Sequence, residues 1–492
     1  MAGGFLPYHE PEIVEILVII SFFFILSLAE SVSAKIIRAG IIGPIAVGIV
    51  YGTPLADILE EGWQKTFLAL GYVGLILIIF QGGLGARIDL LMRNLVLSLV
   101  GAATGVCFPI GLAYLLLYLG FGYGAVETFI IGAALSATSL GTTFAVISSA
   151  SSTIDLAQTK VGAVLVGAAV IDDVSGLVMS SVIGNLGQLS EGGNVNLGWL
   201  IGRPIVASIA MAILTPIASV YIFAPIFRKP YIEPRFARFD HISNIILMVL
   251  VLCAFITIAA YSGTSVLFGA FLAGTFLTSL PSTGPNSPFT VESRKEGEEN
   301  EDKSPKFLHT FEAYLWGVQK YLMEPLFFAS IGFAVPFVEL WTGERIWRGV
   351  LFTLLMVFAK FVVGIWIPLW SYLFMKNSQD GRVTSKEANR QNTQKNRSSD
   401  YRTTWLSGLL LGSAMVARGE IGLLIIEIGY NQTSYVSQEG FITCVWAILL
   451  NTIIGPIAVG ILVKRYGKAI AEGVWGLQLA VSEEAIAHDH RV

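Results

Sequence analysis

The sequence predicts an all-α polytopic membrane protein of about thirteen transmembrane helices, and three observations carry that prediction. The first is composition: of 492 residues, 54% are apolar and only 13% charged, against roughly a quarter charged in soluble domains, and mean hydropathy is +0.70. The second is the placement of charge. Segments 281–320 and 376–402 hold 12 and 10 of the 66 charged residues, so the rest of the chain lacks the residues to cover a soluble surface. The third is a series of apolar runs near the roughly 20 residues needed to cross ~30 Å of hydrocarbon. Together these exclude intrinsic disorder, nucleic-acid binding and a soluble enzyme fold.

The N-terminal MAGGFLPYHEPE is acidic where a secretory signal would be basic, so the first run reads as a retained span. The runs are 11–31, 36–52, 66–83, 95–119, 126–149, 160–184, 197–227, 241–261, 264–280, 322–338, 349–375, 403–429 and 439–463. Several contain Gly or Pro, which lipid tolerates where neighbouring protein or trapped water satisfies the freed backbone groups. With the N-terminus outside, 25 of the 31 Lys and Arg fall in cytoplasmic segments, so the positive-inside rule puts the C-terminus in the cytoplasm. Asn431-Gln432-Thr433 is a glycosylation sequon and falls in a segment assigned outside. Which membrane houses the chain is left open. Cys107, Cys253 and Cys444 lie in apolar stretches, and no disulfide is expected.

The two polar inserts read as disordered cytoplasmic loops: 281–320 carries turn residues and then ESRKEGEENEDK, and 376–402 is a basic Ser/Asn/Gln tract. A transmembrane domain over 1–465, with core elements at about 95–184 and 349–463, and a short cytoplasmic tail, 466–492, complete the organisation.

A charge at mid-bilayer is costly, so each one there is a candidate for function. Asp172 and Asp173 are the central charges of span 160–184, Lys360 is that of span 349–375, and Arg418 and Glu420 lie just past the middle of span 403–429. Three helices thus bring charge to one depth, as a buried ion site requires. Adjacent helical residues point about 100° apart, so one aspartate can pair with a protein cation while the other faces a wet cavity. Two carboxylates this close in a low dielectric cannot both ionise without help. Such a group holds either a proton or a small hard cation, and competition for it couples the two fluxes. A plain helix-packing salt bridge to Lys360 would need only one acid. Lys360 itself fits either pure neutralisation or proton carriage, and Arg418 with Glu420 fits a pair orienting broken backbone better than ion ligands.

Residues 134–143, ALSATSLGTT, place Ser136, Thr138, Ser139, Thr142 and Thr143 around Gly141 in mid-span, where a helix could unwind and expose carbonyls; close helix packing is the alternative use of such small residues. GAALSA at 132–137 echoes GLLLGSA at 408–414, seven spans apart and so crossing in opposite directions, as an inverted repeat demands. IIGPIAVGI occurs at both 41–49 and 453–461, outside that repeat.

The Asp172-Asp173 pair, the Thr138-Ser139 break, GAFLAG at 269–274, EPLFFASIGF at 324–333, AKFVVG at 359–364 and ARGEIGL at 417–423, in this order, resemble the monovalent cation:proton antiporter superfamily, especially sodium/proton antiporters with an aspartate pair. The resemblance runs from about residue 14 to 465, the two inserts excepted. It implies a sodium/proton antiporter fold with two crossing broken helices, a homodimer, and an elevator-like alternation of access. It implies further that Asp173 is the principal ion and proton carrier, that Asp172 bridges to Lys360, that Thr138 lies at the first break, and that Arg418 and Glu420 lie at the second. An Asp-Asp pair in this family goes with electrogenic exchange. The inserts depart from the family's pattern, as does the lack of the nucleotide-binding domain seen in potassium efflux relatives.

The expected activity is therefore exchange of Na⁺ or Li⁺, with K⁺ next, for protons, with Asp172, Asp173, Thr138 and Ser139 at the ion and no cofactor. A cation channel or uniporter on the same scaffold, and an anion or metabolite transporter using Arg418, are the alternatives.

Overall fold

A computed structural model describes residues 10–37, 39–86, 94–139, 159–190, 197–282, 289–291, 304–379 and 390–476. In chain order its main helices are α1 (Ile13–Ile36), α2 (Ile42–Tyr51), α3 (Glu61–Leu84), α4 (Leu95–Ala113, prolonged by a π-helical stretch to Gly120), α5 (Ala125–Ser136), α6 (Lys160–Ser190), α7 (Leu197–Ala218) and α8 (Asp240–Ser262). There follow α9 (Val266–Thr278), α10 (Phe307–Tyr314), α11 (Glu324–Ala334), α12 (Gly343–Gly364), α13 (Trp366–Gln379), α14 (Arg390–Ala414), α15 (Glu420–Asn431) and α16 (Gln438–Glu472). The only strands among the described residues are a short parallel pair, β1 (Phe289–Val291) and β2 (Ser304–Pro305).

Each of the thirteen apolar runs carries a helix. Among the described residues, eight helices are long and apolar enough to cross a membrane unaided, while Ile42–Tyr51, Ala125–Ser136 and Val266–Thr278 are shorter. The chain divides into two compact bodies: Met1–Leu75 with Trp316–Glu339, and Ile76–Leu315 with Leu340–Val492.

In the first body, Phe22, Tyr51, Phe67, Leu326 and Phe333 form an apolar centre, with Phe22 stacked on Phe67 at 5.3 Å between ring centroids. Helices α2 and α11 touch backbone to backbone because Gly48 faces the Ala329 carbonyl and Gly332 faces Ile45, with no room for a Cβ at either. The third residue of each copy of IIGPIAVGI, Gly43 or Gly455, is pressed against the backbone of another segment, Ala29 or Ala417 respectively.

In the second body, α4 packs on α5, α6 and α12, and α12 packs on α14 and α16, around Leu97, Val164, Ala168, Val363, Leu411 and Met415. The expected core elements, 95–184 and 349–463, fall within this body, which also takes in 197–315. Glu127 ties the start of α5 to the start of α16: its Oε1 accepts from the Ser437 backbone N–H at 2.8 Å and its Oε2 from that of Gly124 at 3.3 Å.

The inserts are corrected in part. Segment 281–320 is no continuous disordered tether, since β1, β2 and α10 are ordered and Phe289, Phe307 and Phe311 are buried in a cluster with Phe80 and Met248. Three phenylalanines amid the charge supply enough apolar area to dock the segment, at about 1.5–3 kcal/mol per buried side chain. Residues 376–379 and 390–402 are helical as extensions of α13 and α14. Residues 283–288, 292–303, 380–389 and 477–492 lie outside the described residues.

Candidate functional site

Two helices stop in the middle of the second body, and their ends meet. Helix α5 ends at Ser136, and Ala137 follows with extended backbone. Helix α14 ends at Ala414, and the chain runs without helical structure through 417–419 before α15 starts at Glu420. The Ser139 backbone N–H donates to the Ala417 carbonyl at 2.9 Å, bridging one break to the other. The echo GAALSA and GLLLGSA marks the C-terminal ends of these two half-helices. Gly419 fits against the Ser139 side chain, Gly422 against the Ala134 carbonyl and Gly455 against Ala417, each where a Cβ would collide.

A helix that stops inside protein leaves its last carbonyls without intrahelical partners and its C-terminal end partially negative. Two cations meet that need. Lys360 Nζ donates to the Ser136 carbonyl at 2.5 Å, and Arg418 Nη1 donates to the Ala137 carbonyl at 3.1 Å and the Met415 carbonyl at 3.0 Å. Gly105 of α4 leaves the room in which Nζ sits. The Thr452 hydroxyl of α16 donates to the Arg418 carbonyl at 3.0 Å and holds the second break from behind.

Asp172 of α6 closes the cluster. Its Oδ2 lies 3.0 Å from Lys360 Nζ and accepts a short hydrogen bond from the Thr138 hydroxyl, whose oxygen in turn accepts from Lys360 at 3.1 Å. Asp172, Lys360 and Arg418 are each 0% exposed. Burial of that degree is tolerable only for paired, hydrogen-bonded charges.

Asp173 is placed differently. It is partly buried, its Oδ1 is closed off from solvent without a hydrogen-bond donor, and the same holds for Asp172 Oδ1. Its carboxylate interacts electrostatically with Glu420, Asp172 and Lys360. Three carboxylates against two cations leave one net negative charge when all five groups are ionised. No group of three or more His, Cys, Asp or Glu able to hold a metal ion occurs among the described residues.

The structure thus brings together Asp172, Asp173, Thr138, Ser139, Lys360, Arg418 and Glu420. Gly141, Thr142 and Thr143 lie outside the described residues. Asn431 is exposed but is the last residue of α15 instead of a free loop residue, and the Nδ2 that a glycan would need donates to Glu427 Oε2 at 2.6 Å. The sequon's Thr433 is buried and its hydroxyl donates to the Gly429 carbonyl. Sequence reasoning missed one kind of participant: the carbonyls of Ser136, Ala137 and Met415, which have no side-chain signature.

The chain matches the family described as sodium/hydrogen exchanger, transmembrane, over residues 17–465. It is 24% identical over 448 residues to a Na(+)/H(+) antiporter of Enterococcus hirae, covering 89% of this chain and 95% of that protein. It is 24% identical over 417 residues to the probable Na(+)/H(+) antiporter GerT of Bacillus cereus, covering 84% and 87%. Its fold is similar to that of the sodium proton antiporter MjNhaP1 from Methanocaldococcus jannaschii, with a TM-score of 0.54 at 17% identity over 93% of this chain and 99% of that one. A family match over nearly the whole length, a shared helical fold and intramembrane carboxylates beside two broken helices lead to one conclusion: the chain belongs to the transmembrane sodium/hydrogen exchanger family.

Proposed function

We propose that the protein exchanges a monovalent cation for protons across a membrane by alternating access, with Asp173 as the carrier. The observation that carries this reading is the inequality of the two adjacent aspartates. Asp172 is ion-paired with Lys360 and accepts from Thr138, whereas among the described residues Asp173 has no such ion pair, in a set of three carboxylates and two cations. One proton or one monovalent cation neutralises the net negative charge of that set, and a site that takes either but not both couples their movements. Arg418 and Lys360 hold the helix ends, Thr138 fixes Asp172, and Ser139 ties the two breaks together.

Na⁺ or Li⁺ is the proposed cargo, with K⁺ next, supported by relatives named Na(+)/H(+) antiporters. The exchange is proposed to be electrogenic and the protein a homodimer with its N-terminus outside and C-terminus in the cytoplasm, the last supported by the distribution of Lys and Arg.

The test is cation-driven proton movement in proteoliposomes of the purified chain, across Na⁺, Li⁺ and K⁺, with the membrane potential clamped and unclamped. Asp173→Asn should abolish it while leaving thermal stability unchanged or raised, because it removes a carboxylate that faces two others. Full exchange by that variant would falsify the assignment.

A further inference from the structure

Helix α15 carries a second carboxylate, half-buried, that the exchange cycle described above does not use. Glu427 follows Glu420 by seven residues, about two turns or 10 Å along the axis, and Asn431 lies one turn further on the same side. The other faces of α15 are occupied. Ile421, Ile425 and Ile428 lie against Gly176 and Gly184 of α6, and Gly422 and Gly429 lie against Ala134 and Ile130 of α5. Glu420, Glu427 and Asn431 therefore share a third face that leads from the neighbourhood of Asp173 to an exposed helix end.

Glu427 does not serve packing in an evident way. Its Oε1 is closed off from solvent and accepts no hydrogen bond, a state that costs free energy in any buried carboxylate. Among the described residues its Oε2 accepts from Asn431 alone, within the same helix, and the group joins α15 to no other described element. The residue also lies toward the end of the helix where backbone carbonyls already concentrate negative charge. An acid inside a membrane-spanning segment, with an unoccupied oxygen and no interhelical role, is placed where a proton or cation in transit would relieve it.

We propose that Glu427 is a relay carboxylate on the route between the Asp173 site and the membrane face onto which Asn431 opens, binding the ion or proton that Asp173 receives or releases on that side. This inference rests on the exchange reading above. Glu420 and Glu427, about 10 Å apart along α15, then divide the route between Asp173 and that face into shorter steps.

The experiment uses the full chain in proteoliposomes, with Na⁺ as the probe added on one face at a time and the Asn431 face identified by labelling an N431C variant with an impermeant thiol reagent. In E427Q, the Na⁺ concentration for half-maximal proton movement from the Asn431 face should rise about tenfold, as expected for loss of one charge-assisted contact. From the opposite face it should stay within about a factor of two, and E427D should restore most of the loss. An E427Q protein with half-saturation unchanged on both faces, or shifted equally on both, overturns the relay. If E427Q fails to fold, E427N carries the test: a rise confined to the Asn431 face supports the relay, and no shift, or an equal shift on both faces, overturns it. Absence of Na⁺-driven proton movement in the unaltered protein sinks the exchange reading itself, and the relay with it, before any variant is compared.

Discussion

Removing the ammonium of Lys360 strands a wholly buried charge, and the size of the penalty can be worked from the geometry. Lys360 Nζ and Asp172 Oδ2 are 3.0 Å apart with both side chains 0% exposed. At an effective dielectric of about 20, two unit charges at that distance attract by ~5.5 kcal/mol. Breaking a buried pair by deleting one partner costs about 3–5 kcal/mol, because the survivor keeps its desolvation penalty. Lys360→Met preserves chain length and apolar bulk, yet it also takes a donor from the Ser136 carbonyl. Asp172→Asn leaves the lysine stranded instead. The double variant removes both charges and should return to within about 1–2 kcal/mol of the unaltered protein. At roughly 2 °C per kcal/mol for a large chain, each single variant should lose about 6–10 °C in thermal midpoint and the double variant about 2–4 °C. The assay is thermal unfolding of the detergent-solubilised protein, read as a double-mutant cycle. Additive losses, with the double variant the least stable of the three, would refute the claim that these two residues neutralise one another.

Two further outcomes follow from the same site. If protons and Na⁺ compete at Asp173, lowering the pH favours the proton-bound form, so half-saturating Na⁺ should rise roughly tenfold per pH unit once that form dominates, at unchanged maximal rate; Na⁺ titrations at several pH values check this, and a half-saturation independent of pH contradicts it. Gly455→Val should push the α16 backbone away from Ala417 at the second break, where an added Cβ already meets the Ala417 nitrogen at 2.5 Å. The expected cost is about 1–3 kcal/mol of overpacking together with loss of transport, while Gly62→Ala, in open space, should change neither thermal midpoint nor flux.

What could be read from the sequence was whatever is expensive in lipid. A charge inside an apolar run of twenty residues has few tolerable explanations, so Asp172, Asp173, Lys360, Arg418 and Glu420 stood out, and the structure gathers all five in one body. Thr138 and Ser139 were weaker, because small hydroxyl residues also serve packing; the chain's own echo at 408–414 added weight, and both copies prove to be helix ends. The partners that hold the site were invisible for a physical reason. Every residue has a carbonyl, and only the three-dimensional break exposes those of Ser136, Ala137 and Met415 to Lys360 and Arg418. The insert 281–320 was misread because its charge dominates any average over the window, whereas docking is decided by three phenylalanines, which burial weighs one at a time.

The arrangement also accounts for why two broken helices accompany an aspartate pair. An intact helix satisfies its own carbonyls and offers nothing negative in mid-membrane for a cation to hold, so Arg418 would lose the carbonyls it caps and Lys360 would keep Asp172 alone. Ending α5 and α14 at the same place provides two partially negative termini, and the two cations are committed to them and to Asp172. Those commitments leave Asp173 without an ion pair of its own among the described residues. On the proposed exchange cycle this is what prevents leakage. A site bearing one uncompensated charge is disfavoured in the membrane interior by at least about 2.5–3.5 kcal/mol, which is roughly a hundredfold or more in population. Changing the side it faces while empty is therefore rare, and the change proceeds once a proton or a cation has neutralised Asp173. Coupling then needs no separate gate, because one unpaired carboxylate among otherwise satisfied charges makes occupancy the condition for crossing.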